Sequence, residues 1–238
     1  MQDHAPLTTQ SMDEVEKAVT EHMSQALKYC DTEFVSPRQC MYQTRAAVIH
    51  HRLASLYHHS YRCYGQEDNS NRKRKLKQLS ELHYVKASQL FLVVDRPAEF
   101  IRTVLERAGL VEAQLPAMKG EGARYKMLLQ VLDIVLETGV VVAKLVEKED
   151  EELSDKEEWE EEKKMLETVV QRIQFILLSM VKLGNAAGKS KKTKPDRKSS
   201  GSVKDSYAAA LKCSGKSPTL ARDLYSLISK LGEDRGAM

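Results

Sequence analysis

Apolar residues recur along most of this chain at intervals of three and four, the spacing that gathers side chains on one face of an α-helix. Val15, Val19, Met23, Ala26 and Cys30 form one such stripe over 11–30, and Ser11 followed by Glu14 is a capping-box start. DTEFVSPRQ interrupts it, and Pro37 suits the first position of a second helix, predicted over 37–64. That helix carries two stripes. Tyr42, Ala46, Ile49, Leu53, Leu56 and Ser60 make the first; Ala47, His50, Ala54, Tyr57 and Tyr61 make the second, so burial on two sides is expected. The polar segment GQEDNSNRKRK then reads as an exposed loop.

A third helix is predicted over 75–94, with Leu79, Leu82, His83, Lys86, Ala87, Leu90 and Phe91 toward its buried side. Pro97 opens a fourth, with a stripe of Phe100, Val104, Ala108, Val111 and Leu115, and PAMKGEG closes it with turn chemistry. Leu128, Leu132, Val135, Gly139, Val142 and Val146 are spaced as one fifth helix. Leu166, Val169, Ile173, Ile176, Met180 and Leu183 are spaced as a sixth, started near Asp155 by the Ser154/Glu157 capping box. Both patterns are heptad-like, and a short acidic connection predicts an antiparallel pair. A final helix is expected over 217–231, started by Ser217-Pro218 and stopped by Gly232.

Composition agrees with an all-α chain. Glycine and proline number only 11 and 6, and aromatics are 6% of 238 residues, too few for a strand-rich protein. The net charge of +3 conceals an asymmetry between the acidic run EKEDEELSDKEEWEEE (147–162) and the basic run KSKKTKPDRK (189–198). Residues 184–203 lack apolar periodicity and read as a basic, disordered linker. The expected domains are therefore a flexible 1–10, a helical domain over 11–183, the linker over 184–203 and a short helical segment over 204–238.

Cys30, Cys40, Cys63 and Cys213 form no CxxC pair, and MQDHAPLTTQ has neither a basic nor an apolar signal region. Free thiols in a cytosolic or nuclear protein are expected. No apolar run reaches the roughly 18 residues of a membrane span.

The stretch RAAVIHHRLASLYHHSY (45–61) carries four histidines. Helical metal ligands need i+3 or i+4 spacing. His50 and His51 diverge by about 100°, and His51 and His58 lie roughly 10 Å apart along the axis. That is too far for one zinc ion at about 2 Å from each nitrogen. Only His59 with Cys63 has ligand spacing, and HExxH is absent. A packed helix is expected instead, with His50 beside Tyr57 and with His51, His58 and His59 toward the polar side. On that reading Ala54→Leu overpacks the helix at about 1–3 kcal/mol, and His51→Ala costs less than about 0.5 kcal/mol.

No GxSxG, P-loop or strand-borne GxGxxG occurs, and GEGAR (120–124) reads as a turn. The carboxylates of 147–162 read as a solvated helix end or a docking surface for a basic partner, since catalytic pairs need contrasting, partly buried environments. No catalytic residue, metal or cofactor is expected. The basic run, with Lys189, Lys191, Lys192, Lys194, Arg197 and Lys198, is a candidate nuclear import signal, a phosphate contact or a solubilising linker. It lacks stacking aromatics, which weighs against direct nucleic-acid recognition.

Leu53, Ala54 and Tyr57 on one helix, with Ala87, Phe91 and a following Pro97 on the next, approximate a tetratricopeptide unit, in which small residues let two helices approach and aromatics fill the groove. The expected fold is all-α, built of antiparallel helical hairpins in a tetratricopeptide-like α-solenoid. A more specific pattern lies in KYCDTEFVSPRQCMYQTRAAVIHHRLASLYHHSYR (28–62) and ELHYVKASQLF (81–91). These segments resemble the C-terminal region of the erythroid differentiation-related factor family, densely over 13–94 and more loosely to about 183. The resemblance implies a nuclear protein with tetratricopeptide-type repeats and a role in erythroid differentiation through globin gene expression and the DNA-binding activity of a GATA-type factor. It implies no catalytic residues and no cofactor, and it makes this chain look like the C-terminal part of a longer protein. The expected partners are proteins, transcription factors among them, with no membrane. The competing expectation is a cytosolic adaptor or scaffold whose acidic hairpin binds basic partners.

Overall fold

The structure is a computed structural model and describes residues 9–32, 38–63, 70–150, 156–187, 197–215 and 217–236. Every regular element among them is helical: α1 (Thr9–Thr32), α2 (Gln39–Cys63), α3 (Ser70–Val93), α4 (Pro97–Glu112), a 3-10 turn (Leu115–Ala117), α5 (Glu121–Leu136), α6 (Gly139–Asp150), α7 (Lys156–Ala187), α8 (Arg197–Lys212) and α9 (Leu220–Gly236). The chain divides into two units, Met1–Val94 and Asp95–Met238. The expected single domain over 11–183 therefore gives way to a division after Val94. The physical reason is that α2 and α3 close one core between themselves, while the helices from α4 onward close another.

In the first unit α2 and α3 form an antiparallel hairpin. The antiparallel sense follows from three pairs along it, His51 with Phe91, Ala54 with Ser80, and Tyr61 with Lys73. Ala46, Ala47, Leu53 and Ala54 of α2 are buried against Leu76, Tyr84, Ala87 and Phe91 of α3. Small residues bring the backbones close enough for the Ser80 hydroxyl to donate to the Ala54 carbonyl at 2.9 Å. α3 starts at Ser70, so the basic end of the expected loop is helical. Its first turns have something to pack on, since Lys73 Nζ lies 5.4 Å from the Tyr61 ring centre. α1 lies along α2, where the Ser60 hydroxyl donates to Glu16 at 3.0 Å. Pro37 lies outside the described residues.

In the second unit α7 is the central element, packed against α4, α5, α8 and α9. Ion pairs of Arg102 with Glu161 and of Glu112 with Arg172 advance together along α4 and α7, so these two helices run parallel. Leu166, Val169, Ile173, Ile176 and Met180 are buried on α7, the stripe that the spacing predicts.

The fifth helix of the sequence reading is two helices. The chain turns at Glu137–Thr138 because Thr138 satisfies both ends locally. Its hydroxyl donates to the Val135 carbonyl at 2.7 Å, and its own carbonyl accepts the Val141 and Val142 amides at 3.0 and 2.9 Å. Arg107, almost wholly buried in α4, pairs with Glu137 and holds the turn. The partner expected for the sixth helix changes accordingly: α7 packs on α5 and α4, while α6 is turned onto α9. A Cβ at Gly139 would stand 2.9 Å from Ile228 Cγ2, so glycine is what permits that approach.

The C-terminal part also departs from expectation. Residues 197–203, assigned to the linker, belong to α8, whose Val203, Ser206 and Ala210 are buried. Residues 188–196 lie outside the described residues. α9 runs through Gly232 to Gly236 instead of stopping there, since Leu231 is buried and the helix side of Gly232 is open.

Candidate interaction surfaces

The histidine stretch forms a layer between α2 and α3. His50 Nδ1 and His83 Nδ1 are 2.8 Å apart, so one imidazole donates and the other accepts. Burial, with His83 and Lys86 nearby, brings His50 down to about 4, and burial with Lys86 lowers His83. Both rings are therefore neutral near pH 7. The Tyr57 ring stacks on His83 with centroids 5.7 Å apart. His51 lies against Tyr84 and Phe91 at 6.2 and 6.4 Å between ring centres, and His58 Nδ1 is 3.1 Å from the Tyr84 hydroxyl. This corrects the expectation for His51 and His58, which turn toward α3 and not toward the polar side. It also places His50 against His83, the ring on which Tyr57 stacks. The physical cause is that α3 covers a wider arc of α2 than the α2 stripes alone delimit. His59 is exposed, with Nε2 3.4 Å from Cys63 Sγ. Among the described residues no group of three His, Cys, Asp or Glu side chains converges as a metal cluster would require.

The five residues of the tetratricopeptide-like unit sit in this hairpin. Leu53, Ala54, Ala87 and Phe91 are exposed by 3% or less. Tyr57 is half-buried, and its hydroxyl is raised by burial first and by Glu16 second. These side chains hold two helices together and leave the outer faces of the hairpin to meet other molecules. Of the basic run, Lys189, Lys191, Lys192 and Lys194 lie outside the described residues, while Arg197 and Lys198 open the backbone of α8.

The acidic run is not a uniform solvated end. Glu157, Glu158, Glu160 and Glu161 are exposed, yet Glu162 is 1% exposed. Glu162 accepts from Lys148 Nζ at 2.9 Å, and burial raises its carboxyl against the opposing pull of Lys148. Glu149 accepts from the Ala221 and Arg222 amides at 3.0 and 3.2 Å and so caps the N-terminus of α9. Gln174 Nε2 donates to the Ala210 and Cys213 carbonyls at 2.8 and 3.4 Å and closes the C-terminus of α8. These roles join residues up to 73 positions apart, and no local pattern announces them.

Between α4 and α7 runs a groove of about 460 Å³ with Leu105, Met165 and Phe175 along it. Phe175 is half-exposed, and the Arg172 guanidinium lies 5.9 Å from its ring centre. Arg102 and Arg172 at its rim are both paired with carboxylates of this chain. Among the described residues no helix is long and apolar enough to cross a membrane. No disulfide joins Cys30, Cys40, Cys63 and Cys213.

Comparison with known proteins joins these observations to a family. Residues 1–235 match the family described as erythroid differentiation-related factor 1-like, TPR repeats. The match extends the resemblance well beyond the residues near 183 at which the sequence motifs fade. The chain is 36% identical over 197 residues to erythroid differentiation-related factor 1 of Homo sapiens, an alignment covering 76% of this chain and 16% of that protein. It is 34% identical over 252 residues to the Pongo abelii protein of the same name, covering 98% of this chain and 20% of that protein. It is 36% identical over 197 residues to the Mus musculus protein, again 76% of this chain and 16% of that one. No solved structure matches.

Proposed function

The chain belongs to the erythroid differentiation-related factor 1-like family of tetratricopeptide-repeat proteins, and from that membership we propose that it is a non-enzymatic interaction module of a nuclear transcription-regulatory factor acting in erythroid differentiation and globin gene expression. The observation that carries this reading is the match of residues 1–235 to a repeat family. Helical hairpins of the kind formed by α2 and α3 bury small and aromatic residues inside and leave extended faces outside, which suits protein recognition. The chain spans 16–20% of the length of the relatives compared. Its partners are proteins, with transcription factors the proposed class, and the nucleus is the proposed location. The run from Lys189 to Lys198 supplies the import signal on this reading.

Two measurements test it. Tagged chains with and without the Lys189–Lys198 run are localised in cells, and nuclear accumulation is expected to depend on the run. Capture from nuclear extract is expected to retrieve transcription regulators specifically. Failure to retain any specific protein, while circular dichroism shows intact helices, would overturn the module reading.

A second reading is favoured by the exposed Glu157, Glu158 and Glu160 at the start of α7. On that reading the chain is a cytosolic adaptor or scaffold whose acidic surface binds basic partners. Cytosolic retention of the tagged chain, with capture abolished by Glu158→Lys and Glu160→Lys together, is its distinguishing outcome.

A further inference from the structure

α1 and α2 do not close on each other along their whole length. Between them lies a groove of about 430 Å³ lined by Ala26, Tyr29 and Cys30 of α1 and by Val48 and Ile49 of α2, with Arg45 at its rim. Its lining is almost wholly apolar. Tyr29 is 73% exposed and Val48 43%, so large apolar side chains of the first unit stand in water along this edge. An amphipathic surface of this kind on a folded domain marks a place where something binds.

The charges beside it say what binds. Arg38, just ahead of α2, and Arg45 and Arg52 on it recur every seven residues. A straight helix drifts only about 20° over that interval, so the three lie in one row. Met41 and Val48 sit three residues after Arg38 and Arg45 on the same exposed side. Arg45 and Arg52 are exposed and have no carboxylate partner among the described residues. Two acids of α1 are engaged away from the groove: Glu16 accepts from Ser60, and Glu21 lines a separate hollow with Tyr57. The contrast with the α4–α7 groove is informative, because the rim arginines there are already paired with Glu161 and Glu112.

We propose that the α1–α2 groove binds an acidic amphipathic helix of a partner protein, whose apolar residues at i, i+3/i+4 and i+7 enter the groove while its Asp and Glu side chains pair with Arg45 and Arg52. A third helix laid between two parallel ridges is the packing that such a trough accepts, and apolar anchors at that spacing are how helices are read in grooves. A basic partner would face like charge. A lipid surface fits less well, because bilayers take up convex apolar faces and this one is a trough. The proposal rests on the interaction-module reading and gives it a surface and a partner chemistry.

The test uses the full chain and a labelled synthetic helix of about 14 residues, four turns at about 3.6 residues each, with Leu at i, i+3, i+4 and i+7 and Glu on the flanks. Fluorescence polarisation is expected to show saturable binding that weakens as salt rises. Arg45→Glu with Arg52→Glu is expected to weaken it by about tenfold or more, and Val48→Asp to do likewise through the apolar floor, with the circular dichroism of both variants unchanged. The same peptide with Lys in place of Glu is expected not to bind. Equal binding of the Lys peptide, undiminished binding by the Arg45→Glu/Arg52→Glu chain, or no binding of the Glu peptide by the intact chain overturns the proposal. So does arginine-dependent binding to phosphatidylserine vesicles with none to the peptide. Capture of the same nuclear partners by intact and doubly substituted chains would sink the groove and leave the module reading standing. Peptide binding without any nuclear partner would do the reverse.

Discussion

His51 shows how much a single side chain depends on what covers it. It is half-buried against Tyr84 and Phe91, and such ring contacts contribute about 0.5–1.5 kcal/mol beyond the buried area. His51→Ala is therefore expected to cost about 1 kcal/mol in urea unfolding, above the value assigned to a residue on the polar side. Ala54 is fully buried, its carbonyl accepts from Ser80, and Ala54→Leu keeps its expected cost of about 1–3 kcal/mol. Equal losses for the two variants would show that the face of α2 against α3 is assigned wrongly. The His50–His83 pair adds a pH dependence. Folding lowers the His50 value from 6.5 to about 4, so below pH 6.5 the unfolded chain takes up a proton that the folded chain resists. Stability is fully present above pH 6.5 and falls as pH drops toward 4, by an amount on the order of 2 kcal/mol once partial exposure is allowed for. His50→Gln is expected to flatten that slope in denaturation curves taken between pH 4 and 7; an unchanged slope would remove His50 as its source.

At the scale of elements, the informative places are where helices stop and what stops them. Gly139 and Gly109 are both glycines in helical segments, and they predict opposite outcomes. Alanine at Gly139 places its Cβ 2.9 Å from Ile228 Cγ2, on a stiff β-branched side chain, so Gly139→Ala is expected to lose about 1–3 kcal/mol. At Gly109 nothing lies within 4 Å, and Gly109→Ala is expected to gain about 0.5–1 kcal/mol through helix propensity and the stiffer unfolded chain. Thermal melts of the two variants check both signs. Glu149 supplies the first amides of α9 with an acceptor, and Glu149→Ala is expected to cost about 1 kcal/mol, as loss of a cap does. Protection of the α9 amides from hydrogen exchange should fall in that variant before protection of α5 does. A uniform loss across both helices would mean that Glu149 acts on more than the cap. The stripe of α7 was legible from spacing alone, because a long helix with one buried side repeats its signal every turn. The break at Glu137–Thr138 was not. A Thr-Gly pair inside an apolar repeat resembles continuous helix until the Thr138 hydroxyl and the Arg107 pairing are seen.

At the scale of the whole molecule, the described residues form two hydrophobic cores, one between α2 and α3 and one around α7. Units with separate cores melt separately when each is self-sufficient. Calorimetry is expected to resolve two transitions, with Ala54→Leu lowering one and Gly139→Ala the other. A single transition displaced by both substitutions would mean that the units fold as one. The candidate site divides along a similar line. The tetratricopeptide-like residues Leu53, Ala54, Tyr57, Ala87 and Phe91 are a local pattern of small and aromatic residues at fixed helical spacing, and four of them are buried in the hairpin. The Arg45 and Arg52 row beside Val48 was written in the sequence too, but that an apolar groove lies open beside it is decided by how α1 packs on α2. By itself, then, the sequence determined the all-helical class, the identity of most core positions and the family, since each of these depends on residues close together or on long unusual strings. The tertiary structure decided which helix covers the histidines, where the fifth helix breaks, that Glu149, Glu162 and Gln174 have long-range partners, and where a groove stays open. Those outcomes depend on backbones brought together from distant parts of the chain, and helical periodicity fixes which face a residue occupies without fixing what that face will meet.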